Sequence, residues 1–345
     1  MLDLSDKIKE YLIPLNQSML FDELSPSYQQ RAGVADILRG VPVPIAADAA
    51  EQLTTLSIAM GMARVIGADP EFRYAPAYID YLRHMFGDGA AKVLVSEGAK
   101  NGGLGHFELA CVYFRAALQL NPGSRDALYL YGRACKDAYE QEDKDEKYVG
   151  CFKAQSIEVF EVLTIEHPKY AMGFYFLGYS YANMGLYTKA QLTWEEFMNL
   201  TRSDSEDEEE SDMEKIPDDE MQELREEIGG RLEAMETPVQ IEKACNRIMS
   251  GDYQGGRDML SEFTEGPYSK WWPLWYYLGI ADSGLGNAEE AIEDYREALR
   301  YSPSNTQVMT ELIDVYQAVG DWENAEKYIH KIQVIQQGLE EETAE

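Results

Sequence analysis

One spacing, 34 residues, recurs along this chain and limits its fold more than any other feature. Gly98 and Gly132 are 34 apart, as are Gly279 and Ile313, and Ala291 and Ala325. A fixed period of this length marks a structural repeat. Each copy is one supersecondary unit that buries its apolar side only by stacking on its neighbours.

The copies can be read residue by residue. Residues 91–124 carry Leu94, Gly98, Ala110, Phe114 and Pro122. Residues 125–170 carry Leu128, Gly132, Ser156, Phe160 and Pro168, and residues 171–204 carry Leu177, Gly178, Ala190 and Trp194. A weaker copy at about 237–270 holds Ala244, Gly251, Tyr253 and Leu260. The clearest, 272–305, holds Trp275, Leu278, Gly279, Ala291, Tyr295, Ala298 and Pro303, and 306–339 holds Leu312, Tyr316 and Ala325. Small residues allow two helices to approach, large rings fill the space between hairpins, and proline stops a helix because it has no N–H. Glycine two residues before an aromatic recurs as Gly105–Phe107, Gly185–Tyr187, Gly251–Tyr253 and Gly320–Trp322. That glycine suits a turn between antiparallel helices, where positive φ or close approach is needed.

This pattern resembles the tetratricopeptide repeat, with its W-x2-L-G-x2-Y, A-x3-F and P positions. The resemblance implies an all-α fold. It would be a right-handed superhelical stack of helix-turn-helix (tetratricopeptide) repeats with an N-terminal helical segment. It also implies protein binding rather than chemistry. One departure stands out: Gly132 to Ser156 spans 24 positions where the pattern has 12. The extra residues fall at 136–153. Val149, Phe152, Ile157 and Phe160 keep helical spacing, which points to longer helices protruding from the stack; the alternative is a loop insertion.

The expected organisation follows. Residues 1–90 form a helical cap segment, with helices near 4–20, 27–39, 46–67 and 76–86 and an extended connector at Gly40–Pro44. Residues 91–200 are a first array of three repeats. Residues 201–220 are an acidic flexible linker, because the run S-D-S-E-D-E-E-E-S-D at 203–212 repels itself. That run is either plain linker, a dock for a basic partner, or a kinase target at Ser203 and Ser205. Met221, Leu224, Ile228, Leu232 and Met235 form an amphipathic stripe, so 221–236 is a bridging helix covering the open end of the third repeat. Residues 237–339 are a second array of three, the first degenerate, and 340–345 are a disordered tail. The last helix either leaves its apolar face simply edge-exposed or permits self-association through it.

Charge and composition narrow the partners. The net charge is −32; residues 91–200 carry only −3, while 201–345 carry −24. Such acidity repels nucleic-acid phosphates and anionic membranes. It serves either solubility or a basic partner. Four cysteines without a C-x-x-C pair, no signal-peptide pattern and no apolar run of membrane length point to a cytoplasmic protein. No cofactor or metal is expected. The four histidines are scattered, and G-G-L-G at 102–105 has no preceding strand and no following lysine. The reading is a non-enzymatic protein-protein interaction scaffold. The alternative is a regulatory sensor or assembly chaperone with two arrays hinged at the acidic linker.

The resemblance also places a groove. In this family the first helix of each repeat lines the concave face, and the matching positions are Tyr129, Arg133 and Lys136, then Tyr175, Tyr179 and Asn183, then Tyr276, Gln307 and Thr310. Each tyrosine is either a contact or ordinary inter-helix packing. Arg133 and Lys136 suit carboxylates of a peptide, and Asn183 its backbone. The family's carboxylate clamp is matched only by Arg133 among Val95, Ala99, Arg133, Met172 and Phe176, which argues against a chaperone C-terminus as ligand. Trp271 and Trp272 form an exposed platform, or one of them packs into a turn.

Overall fold

The computed structural model describes residues 6–46, 54–202 and 216–344 and consists almost wholly of helices. It divides into two compact units: residues 1–185 with 192–228, and residues 186–191 with 229–345.

The first unit opens with helix α1 (Lys9–Leu12) and a 3-10 turn (Ile13–Asn16). A single helix over 4–20 does not form. Pro14 supplies no N–H for an α-helical ladder, and the chain runs on into strand β1 (Met19–Glu23). Helices α2 (Pro26–Arg31) and α3 (Ala35–Leu38) follow, and Ser25 caps α2 by accepting the Tyr28 N–H at 3.3 Å. The Gly40–Pro44 stretch is extended, as its prolines require, but it is not a bare connector. Pro42–Ala46 is strand β2, antiparallel to β1 with Phe21 opposite Pro44. A two-stranded ribbon leaves each strand an unpaired edge, which is where proline is tolerated.

Helix α4 (Thr55–Ala68) starts in a capping box between Thr54 and Ser57 and buries Ile58, Met62, Val65 and Ile66. Small residues bring it close to its neighbours: a Cβ at Gly61 would stand 2.5 Å from the Pro44 carbonyl oxygen. At Gly67 it would overlap the Val112 carbonyl. Helix α5 (Ala75–Phe86) ends at Gly87, where φ is 56°.

Three hairpins follow: α6 (Gly89–Gly103) with α7 (Phe107–Leu120), α8 (Arg125–Tyr139) with α9 (Glu146–Glu166), and α10 (Ala171–Ala182) with α11 (Tyr187–Leu200). Helix α12 (Asp218–Ala234) comes next, beginning inside the span read as linker. Then come α13 (Glu236–Met249) with α14 (Tyr253–Ser261), α15 (Trp272–Leu285) with α16 (Ala288–Tyr301), and α17 (Thr306–Ala318) with α18 (Trp322–Ala344). The acidic run 203–212, with Ser203 and Ser205, lies outside the described residues. Helix α18 continues through 340–344, positions read from sequence as tail.

The repeat logic is visible in the hairpins. The turn glycines 105, 185, 251 and 320 all have positive φ, between 74° and 92°. The helix glycines sit under rings instead. A Cβ would come within 2.6 Å of Phe114 at Gly98, 2.7 Å of Phe160 at Gly132 and 2.7 Å of Tyr295 at Gly279. Gly178 meets the Trp194 indole in the same way.

The extra residues of the second hairpin mainly lengthen α9, which has 21 residues where α7 has 14. The extension does not stand free of the stack; α1 covers it. The Tyr11 ring meets Tyr148 at 5.0 Å and Phe152 at 5.8 Å, and Lys147 pairs with Glu10 at 2.9 Å. Glu108 of α7 holds the other side, accepting from the Tyr148 hydroxyl at 2.7 Å and from Lys144 at 2.9 Å. The buried Arg115 donates to both carboxylate oxygens of Asp6, at 2.8 and 2.5 Å.

Candidate protein-interaction face

In the first unit, α8 and α10 place their sequence-predicted residues side by side. Tyr129 is 4% exposed. Its ring packs edge-on to Tyr170 at 5.4 Å and against Phe176 at 5.8 Å. It is a wall of the hairpin stack and not an open contact surface. Arg133, one turn on, is exposed. Its guanidinium lies over the rings of Tyr129 (5.7 Å) and Phe176 (5.5 Å) and reaches the Tyr129 hydroxyl at 3.5 Å. Lys136 pairs with Glu140 on its own helix at 2.5 Å.

Tyr175 and Tyr179 are separated by four residues and so share one face of α10. Their rings meet at 5.2 Å, and they lean on Phe197 (5.5 Å) and Trp194 (4.8 Å) of α11. Phe176 links them to Arg133, its ring 5.1 Å from that of Tyr175. A cation, two phenols and their aromatic support thus form one continuous face. Asn183 lies at its edge, exposed, with its backbone carbonyl accepting from Lys153 at 3.3 Å.

What the sequence did not reveal is that both phenols are engaged. Glu227 of α12 accepts a hydrogen bond from Tyr175 at 3.0 Å and a second, shorter one from Tyr179. Burial first, and then the neighbouring tyrosine and this carboxylate, raise the pKa of the Tyr175 hydroxyl, so it stays a neutral donor. Arg225 binds the end of α11, donating to the Thr201 hydroxyl at 3.0 Å and the Met198 carbonyl at 3.4 Å. Ile228 is wholly buried. The stripe Met221–Leu224–Ile228 forecast a helix with one inward face. The tyrosine–carboxylate contact had no signal beyond two tyrosines four apart and a glutamate-rich helix.

In the second unit, Tyr276 is 7% exposed and its hydroxyl accepts from Gln307 at 2.8 Å. The Thr310 hydroxyl donates back to the Thr306 carbonyl at 2.9 Å. The structure therefore brings Tyr276 and Gln307 together, while Thr310 bonds within its own helix. Trp271 is 40% exposed, whereas Trp272 packs edge-on to Tyr276 at 5.9 Å. Trp322 (61%) and Val334 (53%) are exposed on α18, while Tyr328, Ile332 and Ile335 pack inward.

A buried polar cluster lies between α14, α15 and α16. Asp282 is 1% exposed and accepts from Arg257 at 2.7 and 2.8 Å and from the Asn287 amide at 2.8 Å. Burial, and then the Asp282 carboxylate beside it, push the pKa of Asp294 up to about 7. Among the described residues no three His, Cys, Asp or Glu side chains converge as a metal-binding group. No described helix is long and apolar enough to cross a membrane.

Residues 272–305, the α15–α16 hairpin, match the tetratricopeptide repeat family model. No curated protein matches the chain. Among solved structures, the chain is similar to a tetratricopeptide repeat protein from Parabacteroides merdae at 12% identity. That likeness covers 95% of this chain and 93% of the other, with a TM-score of 0.31. The tetratricopeptide domain of P58(IPK) is 13% identical over 91% of this chain and 86% of its own, with a TM-score of 0.42. The MamA protein is 14% identical over 72% and 93%, with a TM-score of 0.28. Scores of this size leave the assignment to the matched repeat and to the packing of glycine under ring that recurs in four hairpins. On those two grounds the α15–α16 hairpin is a tetratricopeptide repeat, and the hairpins holding Gly98, Gly132 and Gly178 share its glycine-under-ring packing.

Proposed function

We propose that this protein is a non-enzymatic cytoplasmic scaffold that binds a peptide or partner protein on the α8–α10 face of its first unit. The observation that carries the reading is the exposed Arg133 guanidinium, joined through Phe176 to the Tyr175–Tyr179 pair. A cation and two phenol donors on an aromatic bed bind carboxylates and peptide groups, and tyrosine loses little entropy when fixed. Such a face offers no nucleophile–base pair, so its chemistry is recognition.

The test compares wild type with Arg133→Ala/Tyr175→Ala/Tyr179→Ala in affinity capture from source-cell extract, read by mass spectrometry. A partner retained by wild type and lost by a variant of unchanged helicity supports the reading. Equal recovery by both sinks it.

A further inference from the structure

We infer that the α8–α10 face is a receptor for an acidic amphipathic helix, and that α12 is a tethered copy of that ligand, displaced when a partner protein presents a helix of the same character. The inference rests on the proposed function and specifies the partner's chemistry.

Three observations support it. First, the occupant is already seated. Glu227 lies between the hydroxyls of Tyr175 and Tyr179, so the two donors on α10 converge on one carboxylate. Second, α12 has the composition of a ligand helix. Ile228 is fully buried and Met221 and Leu224 are half-buried, while Asp218, Asp219, Glu220, Glu223 and Glu226 are exposed. Burial raises the Tyr129 pKa first, and the charges of Asp137 and then Glu220 add to it. Third, the face keeps unused capacity. Among the described residues Arg133 has ring contacts and the Tyr129 hydroxyl but no carboxylate within ion-pair distance. An acidic helix from another chain, with one more carboxylate toward α8, would satisfy that cation as well as the phenols.

The attachment is also of a kind that exchanges. Glu227 is exposed, so water and a competing carboxylate both reach its bonds. Covalent linkage raises the local concentration of α12 and keeps the face closed without high intrinsic affinity. A competitor must therefore exceed that effective concentration.

The test uses the full chain and a fluorescein-labelled peptide of residues 216–234, titrated by anisotropy. Wild type is compared with an opened chain, Glu227→Lys/Leu224→Asp, whose α12 release is checked by hydrogen exchange. The opened chain is expected to bind the peptide about tenfold more tightly than wild type. A Tyr175→Phe/Tyr179→Phe change on that background should remove most of the gain, as should Glu227→Gln in the peptide. Equal binding by wild type and opened chain overturns the inference. So does an opened chain that stays folded, releases α12 and ignores the peptide; α12 is then only a structural cap. An opened chain that dimerises by exchanging α12 also overturns it, by making a second copy the occupant. If opening unfolds the chain, Tyr175→Phe/Tyr179→Phe in wild type decides: α12 amides should exchange faster while α6 and α7 do not change, and no change overturns the inference. No cellular partner enters these assays, so they and the capture experiment can fail separately.

Discussion

Gly279 and the ring of Tyr295 are packed so closely that a Cβ on the glycine would come within 2.7 Å of the ring. The contact joins α15 to α16, and Tyr295 is 1% exposed, so neither partner can give way. Gly279→Ala should therefore destabilise the second unit by about 1–3 kcal/mol through overpacking. It does so despite the better helix propensity of alanine, worth about 1 kcal/mol. Chemical denaturation checks this, and an alanine variant as stable as wild type would contradict the packing.

Asp6 and Arg115 allow a second prediction. Arg115 is 6% exposed, so Asp6→Ala leaves a buried guanidinium without its carboxylate. The expected cost is about 2–4 kcal/mol. Thermal melts should show the loss, and Asp6→Glu should recover only part of it because the bidentate geometry changes.

The Asp294 carboxyl gives the second unit a pH dependence of definite sign. Its pKa is raised to about 7 from an ordinary 3.8, so the folded state holds a proton that the unfolded state has released. Stability should therefore fall as pH rises from about 4 to about 7, by up to ~1.4 kcal/mol per unit for this group alone, then level off. Asp294→Asn should flatten that slope. Melts of both proteins between pH 5 and 8 test this, and parallel curves would refute it.

Cys111 and Cys135 are both 0% exposed, their sulfurs 3.7 Å apart, and burial raises the Cys135 thiol pKa well above its usual value. Native alkylation should reach them last. Peptide mass spectrometry after brief maleimide treatment should find Cys151 modified first; Cys245 is also only partly buried, but burial pushes its thiol up to about 12, so it should follow more slowly.

The repeats were legible because their residues act at short range. A glycine in a turn or under a ring leaves its mark at fixed spacing, so Gly98, Gly178, Gly320 and their aromatics could be read directly. The N-terminal segment was harder because its structure depends on distant partners. The ribbon needs Phe21 to find Pro44, and Tyr11 has meaning only beside Tyr148 and Phe152. The face was legible in part for the same reason. Position within a repeat picked out Arg133, Tyr175 and Tyr179, but it could not disclose that Tyr129 and Tyr276 are buried. Nor could it disclose that Glu227, from outside the repeats, meets both phenols.

The lengthened α9 also has a consequence for the order in which the chain assembles. Hairpins of this kind fold on contacts between near neighbours, and near contacts form early. Lys7, however, pairs with Glu158, and its backbone N–H donates to Gln155 at 3.0 Å. The contacts of Lys7 on α9 thus span about 150 residues, whereas neighbouring Asp6 and Lys9 already find Arg115 and Asp69 nearer in sequence. Closing so long a loop costs more chain entropy than closing one hairpin, so the seating of Lys7 on α9 should follow the formation of the hairpins themselves.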